Sequence, residues 1–120
     1  MNVRSYRDLI AWQKAMGLAA AVYRATEVFP SREQFGLTNQ MHRASVSIPS
    51  NIAEGQGRGT TKDYVHFLHI SRGSLQELET QLLLAQRLSF ASETEVQSLL
   101  SVCDEVSRLV SGLINALGKG

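Results

Sequence analysis

Cysteine occurs once in this 120-residue chain, at Cys103. No internal disulfide and no cysteine-based zinc cluster can form, so the sequence fits a reducing compartment. Long apolar runs are also missing. The longest strongly apolar run, Met16 to Val22, is far short of the roughly 20 residues needed to cross a bilayer. The leading MNVRSYRD lacks the apolar core of a signal peptide. A soluble cytoplasmic protein without membrane contact is expected. Proline occurs only twice, and glycine gathers at Gly36, at Gly55, Gly57 and Gly59, and near the C-terminus. What remains is long stretches of helix-forming residues, which predicts an all-α chain.

With 43% apolar residues the chain can bury one real core, and its length suits a single domain over 1–120. The net charge is only +1, but its distribution is uneven. Nine basic residues face five acidic ones up to Leu75, and three face six from Gln76 onward, giving +4 and −3. This asymmetry is compatible with an anionic partner for the first half, with self-association between unlike surfaces, or with ordinary solvated helix faces.

Periodicity predicts four helices, over about 6–29, 32–54, 61–88 and 93–117. In the first, Leu9, Trp12, Met16, Ala19, Tyr23 and Thr26 recur at steps of three or four, which makes Trp12 and Tyr23 core residues. Pro30 ends the helix by disfavouring helical geometry at Phe29. Ser31 with Gln34 has the form of a capping box for the second helix, whose core stripe is Leu37, Met41, Ala44, Ile48 and Ile52. Pro49 lies inside it and deprives the Ser45 carbonyl of its donor, so either a kink at 45–49 or two short helices is expected. Thr60, with Asp63, caps the third helix, striped by Tyr64, Phe67, Leu68, Ser71, Leu75, Leu78, Leu82 and Ala85. Ser92 with Glu95 forms a full capping box for the fourth. There Val96, Leu99, Cys103, Val106, Val110, Leu113 and Leu117 make a heptad seam. Leu100, Val102, Leu109 and Ile114 fall outside that seam, so this helix is expected to contact another subunit as well. An antiparallel up-down-up-down four-helix bundle is the most economical architecture.

The stretch SIPSNIAEGQGRGT, Ser47 to Thr60, raises the question of a phosphate-cradling loop. Such loops need G-x-G-x-x-G or G-x-x-x-x-G-K-[ST] between a strand and a helix. Gly55, Gly57 and Gly59 match neither spacing, and they follow a helix. A turn is the better reading, with Gly55 as a left-handed C-cap. Arg58 and Lys62, beside the free amides of the third helix, could still meet an anion such as a phosphate backbone. Arg43, Ser47, Ser50 and Glu54 form a narrow polar face, open to a neighbouring helix or to solvent. Asn51 sits at the edge of the buried stripe, where its amide needs partners.

The run RASVSIPSNIAEGQGR, Arg43 to Arg58, with FPSREQFGLTNQ before it and FLHISRGSLQELETQL after it, resembles the bacterial four-helix-bundle family encoded by intervening sequences within 23S rRNA genes. The likeness begins at YRDLIAWQKA and spans essentially the whole chain. Its matching positions are Arg43, Ser47, Ile48, Asn51, Ile52, Glu54, Gly55 and Arg58. The family is similar in turn to the accessory proteins of diversity-generating retroelements. The resemblance implies an antiparallel bundle assembled into a homopentameric ring, with a basic surface that meets nucleic acid, RNA or DNA, or a reverse transcriptase. It implies no catalytic activity. The near-neutral charge of this chain departs from a strongly basic surface.

Catalytic and metal chemistry find little support. His66 and His69 share a helix face, and His42 lies elsewhere, but no carboxylate completes a ligand set. They are read as surface or interface histidines. Cys103 on the seam reads as a small buried hydrophobe. Neither a cofactor nor an enzymatic reaction is expected. Two function classes remain: a nucleic-acid-associated structural oligomer, and a protein-binding adapter in which RNA plays no part. For the first, Arg43, Arg58 and Lys62, with Arg4 and Arg7 as weaker candidates, are the expected phosphate contacts. Ser47, Pro49, Asn51, Glu54 and Gly55 are the expected structural motif.

Overall fold

The computed structural model describes residues 5–118, which form four α-helices and no strand. These are α1 (Ile10–Ala25), α2 (Leu37–Gln56), α3 (Thr61–Arg87) and α4 (Glu93–Gly118). Each helix packs on two neighbours, α1 and α3 both lying against α2 and α4. The body measures 46 × 24 × 20 Å, the long dimension matching the roughly 40 Å expected of a 27-residue helix. One core runs through it. Leu18 and Val22 of α1, Met41, Ile48 and Ile52 of α2, Leu68, Leu75, Leu78 and Leu82 of α3, and Val96, Val106 and Val110 of α4 are all fully buried.

The first helix differs from its predicted form at both ends. A short 3-10 turn, Tyr6–Asp8, precedes it, and another, Thr26–Val28, follows it. Ser5 caps the first turn: its Oγ accepts from Arg7 N at 3.1 Å, and Asp8 Oδ2 accepts from Ser5 N at 3.2 Å. The buried face of α1 is Ala11, Ala15, Leu18, Ala19 and Val22. Of the predicted stripe, Leu9, Ala19 and Thr26 are buried, but Trp12, Met16 and Tyr23 are not core residues. Both stripes share the helical period, and the small alanine face lets α1 approach its neighbours closely. Trp12 is left half-buried, while Met16 and Tyr23 are exposed.

For α2 the predicted core stripe is buried throughout, but the helix starts at Leu37, five residues later than expected. Ser31 forms no capping box; Ser31–Glu33 is a 3-10 turn without a side-chain cap. Glu33 caps α2 from outside the helix, its Oε1 accepting from Leu37 N at 3.1 Å. Pro49 is buried inside one continuous helix, so the alternative of two short helices is excluded. A polar seam supports the α2–α3 contact beside it. Asn51 Nδ2 donates to Ser47 O at 2.8 Å and to Ser47 Oγ at 2.9 Å. Ser47 Oγ meets Ser74 Oγ at 2.8 Å, and Ser71 Oγ donates to Ile48 O at 2.9 Å. Every one of these part-buried groups is thus partnered within the helix pair.

Gly55 is not the left-handed C-cap that its position in the loop suggested. No described glycine has a positive φ, and Gly55 is buried within α2. The cap position falls to Gly57, with φ −79° and ψ −9°. Gly55 is required for a different reason. A β-carbon there would meet Phe67 Cβ at 2.9 Å and Tyr64 O at 3.1 Å, so the missing side chain is what allows α2 and α3 to touch.

The last two helices follow prediction closely. Thr60 Oγ1 accepts from Asp63 N at 3.2 Å at the start of α3. At its end, Phe90 N donates to Ala85 O at 2.9 Å and Ser89 N to Gln86 O at 3.0 Å, the paired pattern of a Schellman motif. Ser89 occupies the left-handed position, with φ 62°. Ser92 and Glu95 then exchange their bonds at 3.1 and 3.4 Å. Leu100, Val102, Leu109 and Ile114 pack half-buried against this chain's own core, and the exposed large apolar residues lie on the other three helices and the loops.

Candidate interaction surfaces

The sequence-predicted basic residues do not form one patch. Tyr6 and Ala53 line the same groove, so the 3-10 turn bearing Arg7 lies beside the C-terminal half of α2. Arg58 follows α2 directly and Lys62 sits in the first turn of α3. Arg7, Arg58 and Lys62 therefore share one end of the bundle. Arg43 lies fifteen residues before Arg58, on the order of 22 Å away along the helix. It lines a separate polar depression between α2 and α3 with Gln40, Ser47 and Glu77. Arg4 lies outside the described residues.

Arg58 is held on two sides. Its Nη2 donates to Glu54 Oε2 at 3.0 Å, and its guanidinium lies 4.9 Å from the Phe67 ring centroid. Both members of the ion pair are about half exposed, at 47% and 53%. A pair in that setting is worth about 0–1 kcal/mol, so a phosphate group can compete for the guanidinium. The Phe67 contact was missed in the sequence, although the i+9 spacing from Arg58 across a turn and two coils of helix gave no periodic signal to find it. Arg7 lies over Tyr6 at 5.7 Å, and Tyr6 meets Trp12 edge-on at 5.2 Å.

A second surface is apolar. Between α1 and α2 runs a groove of about 500 Å³, with Tyr6, Trp12, Met16, Tyr23, Val46 and Pro49 among its walls and no charged residue in its lining. Ala19, Ala20, Ser50 and Ala53 complete its lining. The stripe assigned to the core from the sequence is largely this groove. Only the fold shows which side of α1 faces inward.

The histidines take structural and surface places. The His42 ring stacks on Tyr23 with centroids 3.7 Å apart, and its Nε2 meets Thr26 Oγ1 at 2.8 Å. Thr26 Oγ1 already donates its single proton to Tyr23 O at 3.0 Å, so His42 Nε2 must carry the hydrogen. Burial lowers the pKa of this ring from its ordinary value. His66 and His69 are exposed. Among the described residues, no group of three or more His, Cys, Asp and Glu side chains is placed to hold a metal ion. Burial and the nearby Glu79 carboxylate push the Cys103 thiol up to about 12, which keeps it protonated and unreactive. No described helix is long and apolar enough to cross a membrane.

No functionally curated protein matches the chain in sequence. Among solved structures it is similar to a protein of unknown function from the S23 ribosomal protein family of Bacteroides thetaiotaomicron, known from a crystal structure. The TM-score is 0.79 at 21% identity, over 88% of this chain and 98% of that one, a likeness of fold. The family profile described as 23S rRNA-intervening sequence protein matches residues 7–112. The polar seam, the Gly55 contact and the Arg58 pairing all fall within that span, and the chain belongs to the 23S rRNA-intervening sequence protein family.

Proposed function

We propose that the protein is a non-enzymatic, self-assembling cytoplasmic bundle that associates with RNA through the end carrying Arg7, Arg58 and Lys62. The observation that supports this reading is that the three cations share one end of the bundle, with Arg58 and Lys62 flanking the start of α3, where free backbone amides add positive potential. Arg43 stands apart on α2 and contributes less.

An up-down-up-down order of helices is part of the proposal. It is supported by the pairings of Tyr23 with His42, Ser47 with Ser74, Arg72 with Ser111 and Lys14 with Glu105. The assembly is proposed as a homopentameric ring, by resemblance to the family. Repetition matters because a few phosphate contacts per chain are weak, whereas several subunits acting on one RNA add their effects. Affinity for a labelled single-stranded RNA, read by fluorescence anisotropy, should fall steeply with salt and vary little with sequence. The double variant Arg58→Glu, Lys62→Glu should weaken it without changing the oligomer. Equal binding by variant and parent at matched salt would remove this end as the RNA site.

One observation favours a second reading. The uncharged groove between α1 and α2 suits contact with protein rather than nucleic acid. A scaffold for a protein such as a reverse transcriptase, the role that the proposed likeness to retroelement accessory proteins would imply, would then account for the molecule without RNA. A protein that binds no RNA at low salt, yet retains a bound protein on purification from its host, supports the adapter.

A further inference from the structure

We infer that the α1/α2 groove receives the leucine edge of α3 from a second copy of this chain, in a head-to-tail contact. This rests on the proposal that the protein self-assembles, and it names the two faces that meet.

The groove is the concave partner. Met16 and Val46 on its walls are 46% and 43% exposed, and none of its lining residues is charged. From Trp12 to Tyr23 it follows about 17 Å of α1, enough to lie along three turns of another helix. The convex partner is the C-terminal end of α3 with the capping residue that follows it. Leu84 and Leu88 are 45% and 49% exposed, and their i, i+4 spacing puts them on one face. Leu83, beside Leu84, is 48% exposed and widens the patch. In a single copy both surfaces face water, an arrangement that marks interaction sites when the residues are contiguous.

Charge decides which copy-to-copy arrangement is favoured. Residues 1–60, which include α1 and α2, hold seven basic and four acidic residues, for +3; residues 61–120, with α3 and α4, hold five and seven, for −2. Docking groove on groove would bring two positive helix pairs together. Docking groove on leucine edge brings unlike helix pairs together and buries both apolar surfaces. Such a contact is heterologous, and an open assembly keeps one free groove at one end and one free edge at the other until a ring closes.

That property gives the test. Val46→Glu spoils the groove and Leu84→Glu spoils the edge, and both side chains are exposed, so the fold should survive; circular dichroism checks that it does. By native mass spectrometry each variant alone should fall to monomer, with self-association weakened by more than about tenfold. An equimolar mixture should then form a 1:1 dimer, because one intact groove and one intact edge remain between the two variants. If either variant loses helicity, the milder pair Met16→Gln and Leu88→Gln must reproduce the pattern. An assembly of parental size for either folded variant, or a mixture that stays monomeric, overturns the inference while leaving self-assembly intact. A monomeric parent overturns self-assembly itself, and this contact with it.

Discussion

Gly55 of α2 lies so close to Phe67 of α3 that a β-carbon on the glycine would sit 2.9 Å from the phenylalanine Cβ. The approach is made by two well-formed helices, with no unusual backbone angle. Any side chain at Gly55 must push α2 and α3 apart or bend one of them, an overpacking cost of about 1–3 kcal/mol. Gly55→Ala should therefore lower the thermal midpoint clearly, and Gly55→Val more so. Gly57→Ala is the control. Its added carbon would lie 3.6 Å from the nearest atoms at an ordinary φ of −79°, so its melt should match or slightly exceed that of the parent. Equal melts for Gly55→Ala and Gly57→Ala would remove the close-approach account.

Ser89 gives a prediction of opposite sign. It holds φ 62° at the position of the α3 Schellman motif that usually takes glycine. A left-handed backbone costs a non-glycine residue about 1–2 kcal/mol, part of which glycine returns as unfolded-state entropy. Ser89→Gly should raise stability by about 0.5–1 kcal/mol, and Ser89→Val should lower it. Urea unfolding with an unchanged m-value checks both; a destabilised Ser89→Gly contradicts the assignment.

His42 should make stability depend on pH. Its folded pKa is depressed by burial, so the unfolded chain takes up a proton more readily than the native one. The sign follows directly: stability is retained above the ordinary imidazole value near 6.5 and falls as the pH drops through it. Thermal midpoints should decline between pH 7.5 and pH 5.5, and the decline should flatten in His42→Gln even though that variant starts lower. An identical slope in parent and variant would place the pH dependence elsewhere.

These cases show what could be read in the sequence. Hydrophobic period and cap chemistry located α3 and α4 almost to the residue, because Thr60, Ser92 and Glu95 supply local bonds that do not depend on distant partners. The start of α2 was less legible, since its cap comes from Glu33 four residues upstream rather than from a box at Ser31. On α1 two stripes share one period, and only contact with α2 and α4 decides that alanines go inward while Met16 and Tyr23 stay outside. Gly55 was recognised as special for the wrong cause, because close packing and left-handed geometry both ask for glycine. The basic residues were legible one by one. Their division into one end of the bundle and a separate place for Arg43 required the fold.

Self-assembly is the claim on which the ring, the multiplied RNA contacts and the groove contact all depend. Native mass spectrometry of the unmodified protein at micromolar concentration tests it most directly. The account predicts a closed species of about five times the chain mass. A monomer under those conditions contradicts it.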